Sequence, residues 1–163
     1  MLIEYVPATA KFDILICAIH AGSEIGTGDV AREIHAFCPS HTGLYVHSCP
    51  RHITSRVFHE PLFDIAVRRY KTVISIHGMQ SGSQMIHVGG RDRRLIRKLR
   101  TALGQPLTKE PPAHLAGIHA TNVVNRGSDG AGVQIEIHYP LLFSACPLRS
   151  WIARVIAETL INC

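Results

Sequence analysis

Two apolar stretches, "FDILICAI" (Phe12–Ile19) and the "TVISI" of "KTVISIHG" (Lys71–Gly78), constrain this chain more than any other feature. A strand with one wet face alternates apolar and polar residues, so a continuous run predicts a strand covered on both faces, as in parallel sheets flanked by helices. The intervening segments supply such helices. "GDVAREIHAF" spaces Val30, Ile34 and Phe37 helically, with Thr27 or Asp29 as the expected N-cap. "PLFDIAVRRY" puts Leu62, Ile65, Ala66 and Arg69 on one face behind Pro61, which suits a first turn. "RDRRLIRKLRTALG" turns Leu95, Ile96, Leu99 and Leu103 inward and closes at Gly104, and "RSWIARVIAETLI" reads as a last helix capped by Ser150. Further strands are predicted at "GLYVHS", "QMIHVGG" and "AGVQIEIHYP", while the proline-containing residues 105–121 read as loop. The alternation predicts an α/β fold, a three-layer sandwich on a mostly parallel, mixed sheet.

With 163 residues, 46% hydrophobic and 18% charged, the chain is expected to form a single domain over 1–163 with a continuous core. No apolar run approaches the ~20 residues of a membrane span. Glu4 precedes Lys11, the wrong charge order for a secretory signal, so the expectation is a cytoplasmic product, released if at all by lysis, and a monomer. The five cysteines form no CxxC pair, which argues against a disulfide framework or a cysteine-based zinc knuckle. A net charge of +5 with eleven histidines favours anionic partners.

Ligands of open α/β sheets bind beyond the carboxyl ends of the strands. His20 lies just past the first run in "IHAGSEIGTGD", with Glu24 in the following turn, and His77 ends the second. Two histidines and one carboxylate are the ligand set of zinc hydrolase sites that leave a position open for water. Glu136, a carboxylate inside the apolar "GVQIEI", would take a proton from that water and return it to a leaving amine. Alternatives stand beside this reading: Glu24 as a capping carboxylate, and Glu136 paired with Arg126 or Arg149. "NVVNRG" offers Asn125 and Arg126 as donors to a substrate carboxylate, or as a solvated turn. The basic "RDRRLIRKLR" reads as the wet face of a helix, with phosphate binding as the alternative. Neither "SGSQ" nor "HAGS" forms a GxSxG elbow, and no GxGxxG is present.

Taken in order, "IHAGSEIGTGDVA", "HITSRVFHEP", "VISIHG", "HVGG", "NVVNRG" and "GVQIEI" resemble the poly-γ-glutamate hydrolase family of phages and bacteria, from about Ile14 to Ile137. The resemblance implies a trimmed zinc carboxypeptidase-like fold that hydrolyses γ-glutamyl amide bonds with one zinc ion. It implies His20, Glu24 and His77 as metal ligands, Glu136 as the catalytic carboxylate, and Asn125 with Arg126 as substrate contacts. Poly-γ-glutamate is then the anionic polymer partner. The family's first block usually has four residues between histidine and glutamate; here there are three, with Asp29 the next carboxylate along. His59 stands where an acidic residue is more usual, and His52 has no assigned role. Two other functions fit less of the chain: a related zinc peptidase or amidase acting on cell-wall peptides or N-acyl amino acids, and a non-enzymatic nucleic-acid-binding protein using the basic helix.

Overall fold

The computed structural model describes residues 2–8, 13–80 and 85–162. The "SGSQ" segment and the first two residues of "KFDILICAI" lie outside them. Seven strands form one sheet: β1 (Leu2–Val6), β2 (Ile14–Ala18), β3 (Thr42–Ser48), β4 (Thr72–Met79), β5 (Ile86–Gly90), β6 (Thr108–Lys109) and β7 (Val133–His138), ordered β1-β3-β2-β4-β7-β5-β6. The central strands β3, β2, β4 and β7 are mutually parallel, whereas β1 and β5 run antiparallel to their neighbours β3 and β7. The mixed, largely parallel α/β sheet expected from the apolar runs is thus the one observed.

Alternation along each strand sorts its side chains between two layers. On one face Ile16, Leu44, Ile74, Ile135 and Ile137 pack against α1 (Thr27–Phe37), α3 (Arg93–Leu103) and α5 (Leu148–Ile161). Leu95, Ile96, Leu99 and Leu103 are the buried stripe of α3, which ends at Gly104. On the other face Leu15, Cys17, Tyr45 and Val73 meet Phe58, Phe63, Val67, Val123 and Val124, from the short α2 (Pro61–Ala66), its flanking turns and a 3₁₀ turn over Val123–Asn125. Towards the carboxyl ends of β4 and β7 this second face changes character: Val73 is followed by Ser75 and His77, and Gln134 by Glu136, all buried. The site sits in this polar sector.

Several local expectations are corrected. The α1 cap is Gly26, at φ 92° and pressed against Leu142, because the preceding turn arrives in the left-handed region; Thr27 instead donates its hydroxyl to the Glu24 carbonyl. In α5, Pro147 is the N-cap, and Ser150 lies inside the helix, bonded to Glu33. Helix α2 buries Phe63 and Ala66 and leaves Leu62 and Ile65 exposed, since a six-residue helix turns too little to present the longer stripe. Strands β1 and β6 and the four-residue α4 (Tyr139–Leu142) are additions, the last started by the proline expected to end β7. Among the described residues Cys17, Cys38, Cys49 and Cys146 are free thiols, and no helix is long and apolar enough to cross a membrane.

Candidate metal centre

Strands β2, β4 and β7 are adjacent and parallel, so their carboxyl ends bring His20, His77 and Glu136 to one place, with His77 and Glu136 directly paired in register. Glu24 joins them through a tight turn. Its backbone N–H donates to the His20 carbonyl at 2.7 Å, which makes residues 20–24 a single helical turn and puts the two side chains on the same side. A three-residue gap is what one helical turn requires, so Glu24 reaches the site that the shorter spacing put in question. Gly22 allows the turn: a Cβ there would lie 2.4 Å from the Cys49 carbonyl oxygen. Asp29 is turned away, paired with Arg32 and Arg149.

Three side chains face one another at the centre. His20 Nδ1 is 3.1 Å from Glu24 Oε1 and 3.2 Å from His77 Nδ1, and His77 Nδ1 is 3.3 Å from Glu24 Oε2. The opposite ring nitrogens decide what lies between them. His20 Nε2 donates to the Ile53 carbonyl, which can only accept, so His20 Nδ1 carries a lone pair. His77 Nε2 is 2.8 Å from Ser75 Oγ, and with its proton there His77 Nδ1 also turns a lone pair inward. Two imidazole lone pairs and a carboxylate converging at hydrogen-bond distance form a negative focus that calls for a cation. Tetrahedral ligands ~2.0–2.1 Å from zinc lie roughly 3.3–3.4 Å apart, close to the separations seen. The donor set therefore fits zinc. Burial would lower the basicity of His77, but Glu24 and Glu136 raise it overall. Burial likewise opposes ionisation of Glu24, yet His20 and His77 hold its carboxyl well below the usual range. Its Oε2 also accepts the Gly78 N–H, so Glu24 is no helix cap.

His52 is the nearby residue that spacing did not assign. Its Nε2 is 3.3 Å from Glu24 Oε1, its ring lies 4.3 Å from that of His20, and His20, Glu24 and His52 also form a compact metal-ligating group. It differs from buried His77 in being half exposed.

Glu136 pairs with neither Arg126 nor Arg149. A chain of amides fixes it instead: Val124 N–H donates to Asn122 Oδ1, Asn122 Nδ2 to Gln134 Oε1, and Gln134 Nε2 to Glu136 Oε1 at 2.8 Å and to the Leu115 carbonyl. Because the ends of this chain are a backbone donor and a carboxylate, each amide has one allowed orientation. Burial raises the Glu136 carboxyl pKa, and the nearby Glu24 charge adds to it.

These groups open into a cavity of about 860 Å³ that runs under residues 113–122 and also takes in Arg56, Arg91, His114 and His119. Asn125 and Arg126 stand behind its wall. Asn125 donates to the Gly117 and His119 carbonyls. Arg126 donates to Phe58 and Thr121 carbonyls and meets Asp64 at 3.4 Å, so its guanidinium is bound into two loops. His59 is also on the outside, 3.2 Å from Asp64. The basic face of α3 belongs to the helical layer across the sheet.

The mixed α/β sheet has the fold of known amidase and metallopeptidase structures. The family model for poly-gamma-glutamate hydrolase matches residues 3–145, and the chain belongs to that family. It is 36% identical over 135 residues to the UPF0714 protein YndL of Bacillus subtilis (strain 168), covering 76% of this chain and 52% of that one. The chain thus spans about half the length of the curated relatives it matches. A structure of bacteriophage poly-gamma-glutamate hydrolase superposes with a TM-score of 0.86 at 20% identity, covering 99% of this chain and 88% of the other. Zinc-free YndL superposes with a TM-score of 0.78 at 26% identity, covering 98% and 90%.

Proposed function

We propose that this chain is a zinc-dependent amidohydrolase that cleaves γ-glutamyl amide bonds of poly-γ-glutamate. The observation that carries the reading is the convergence of His20 Nδ1, His77 Nδ1 and the Glu24 carboxylate, with the outer nitrogens of both rings engaged elsewhere. His20, Glu24 and His77 would hold one zinc ion, and His77 is preferred to His52 because it is buried and its position is fixed by Ser75. Bound there, zinc supplies Lewis acidity and lowers the pKa of water. Glu136 serves as general base towards that water and then as general acid towards the departing amine. Its carboxyl is suited to both because burial raises its pKa above that of an ordinary carboxyl. Gln134 and Asn122 hold the carboxylate on course. Asn125 and Arg126 contribute by fixing the loops that wall the cavity.

The test is Glu136→Gln, measured for zinc content and for release of amine groups from poly-γ-glutamate. Full zinc content with activity lower by at least ~10³-fold is expected, a loss on the scale of removing a general base; undiminished activity would end the assignment. Running the same assay on cell-wall peptides and N-acyl amino acids separates this substrate from those of related zinc amidases.

A further inference from the structure

Two arginines of the cavity have no part in the chemistry above. Arg56 and Arg91 line it, and neither has an ion-pair partner among the described residues, whereas Arg32, Arg100, Arg126 and Arg149 are all paired with carboxylates. The carboxylates of the cavity do not answer them: Glu24 faces the histidines and Glu136 faces Gln134. Unmatched cations within a concave site, as opposed to an open surface, mark where an anionic ligand is held.

Their placement is fixed by the fold. Arg56 follows Ser55, whose Oγ is 3.4 Å from His77 Nε2, and Val123 N–H and Arg126 hold the Ser55 and Arg56 carbonyls. Arg56 is therefore the near cation, and Arg126 positions it. Arg91 is the far one. Arg91 follows the end of β5, and its backbone N–H donates to the carbonyl of Gly132, four residues before Glu136 in sequence, which puts the Arg91 backbone about 13 Å from Glu136 along the sheet. Its Nε donates to the carbonyl of Ile118, another residue of the cavity lining, at 2.8 Å. A γ-linked glutamate repeat, N–Cα–Cβ–Cγ–Cδ, spans roughly 6 Å when extended. The backbone separation of Glu136 and Arg91 thus corresponds to about two repeats.

We propose that Arg56 and Arg91 are two carboxylate subsites, Arg56 beside the reacting amide and Arg91 about two repeats along, so that the cavity selects an oligomer with one free carboxylate per repeat over a short γ-glutamyl amide. The inference rests on the substrate class proposed above and adds a length requirement to it.

Calorimetric titration of zinc-loaded Glu136→Gln protein with a γ-linked glutamate dimer and hexamer tests it. The hexamer binds more tightly than the dimer. Adding Arg91→Gln weakens the hexamer roughly 10-fold, the scale of one charged hydrogen bond, and leaves the dimer unchanged. Arg91→Lys recovers part of the loss, and Arg56→Gln weakens both ligands. Equal hexamer affinity with and without Arg91, or tight binding of a fully methyl-esterified hexamer, overturns the two subsites while leaving the hydrolase reading intact. Failure of the Glu136→Gln parent to bind either oligomer overturns the hydrolase reading itself, and the subsites with it.

Discussion

At the scale of single residues, the centre depends on which ring nitrogen of each histidine is committed outward. Ser75 is a small polar residue in an otherwise apolar strand, and its contact with His77 Nε2 explains why it is there. Ser75→Ala is expected to weaken zinc binding about 10–100-fold, measured by competition with a chromophoric chelator. His77→Ala should abolish stoichiometric zinc, and His52→Ala should retain it, which distinguishes the proposed buried ligand from its exposed neighbour. Protons compete for the same place, with a definite sign. The His77 pKa is raised on folding, so its contribution to stability is present below the unfolded value near ~6.5 and lost as pH rises through the folded one. Metal-free protein should therefore melt at a lower temperature at pH 8.5 than at pH 6, with a smaller difference in His77→Ala. The Glu24 pKa is lowered, so its contribution is present above about pH 4.3 and lost as pH falls below that.

At the scale of elements, the strand-end rule brings four of the residues together from sequence alone: His20, Glu24, His77 and Glu136 carry a signal because each follows or interrupts an apolar run. The loops carry none. Residues 49–58 and 113–122 have no periodicity, so His52, Arg56 and the wall over the cavity could not be placed, and Gln134 read only as a polar residue of a strand. Asn125 and Arg126 show the converse. Their residue types suggested a carboxylate grip, but sequence does not reveal that nearby carbonyls occupy their donors. Edge strands β1 and β6 escaped notice because they are short and only partly covered. The turn before α1 offers a direct check on the elements that position the proposed ligands. Gly22→Ala must displace the backbone at Cys49, and zinc should be lost even where the far-UV spectrum survives. Leu99→Ala, deep in α3 on the other face, should cost about 2–5 kcal/mol of stability yet leave zinc affinity unchanged.

For the whole molecule, charge and topology each have a measurable consequence. A chain of net charge +5 with unmatched arginines in its cavity should associate with a polyanion faster at low salt, and raising ionic strength should reduce kcat/KM chiefly through KM. Topology acts earlier, while the chain is being made. Strand β7 is the last strand in sequence, yet it lies between β4 and β5, near the middle of the sheet. Until a growing chain has delivered residues 133–138, the inner edges of β4 and β5 have no partner, and the apolar "VISI" is held open to any other extended segment. The strand that carries Glu136 is thus also the one that closes the sheet. A nascent chain stalled short of Val133 should be sticky and chaperone-bound, and its release should come abruptly, with the final pairing.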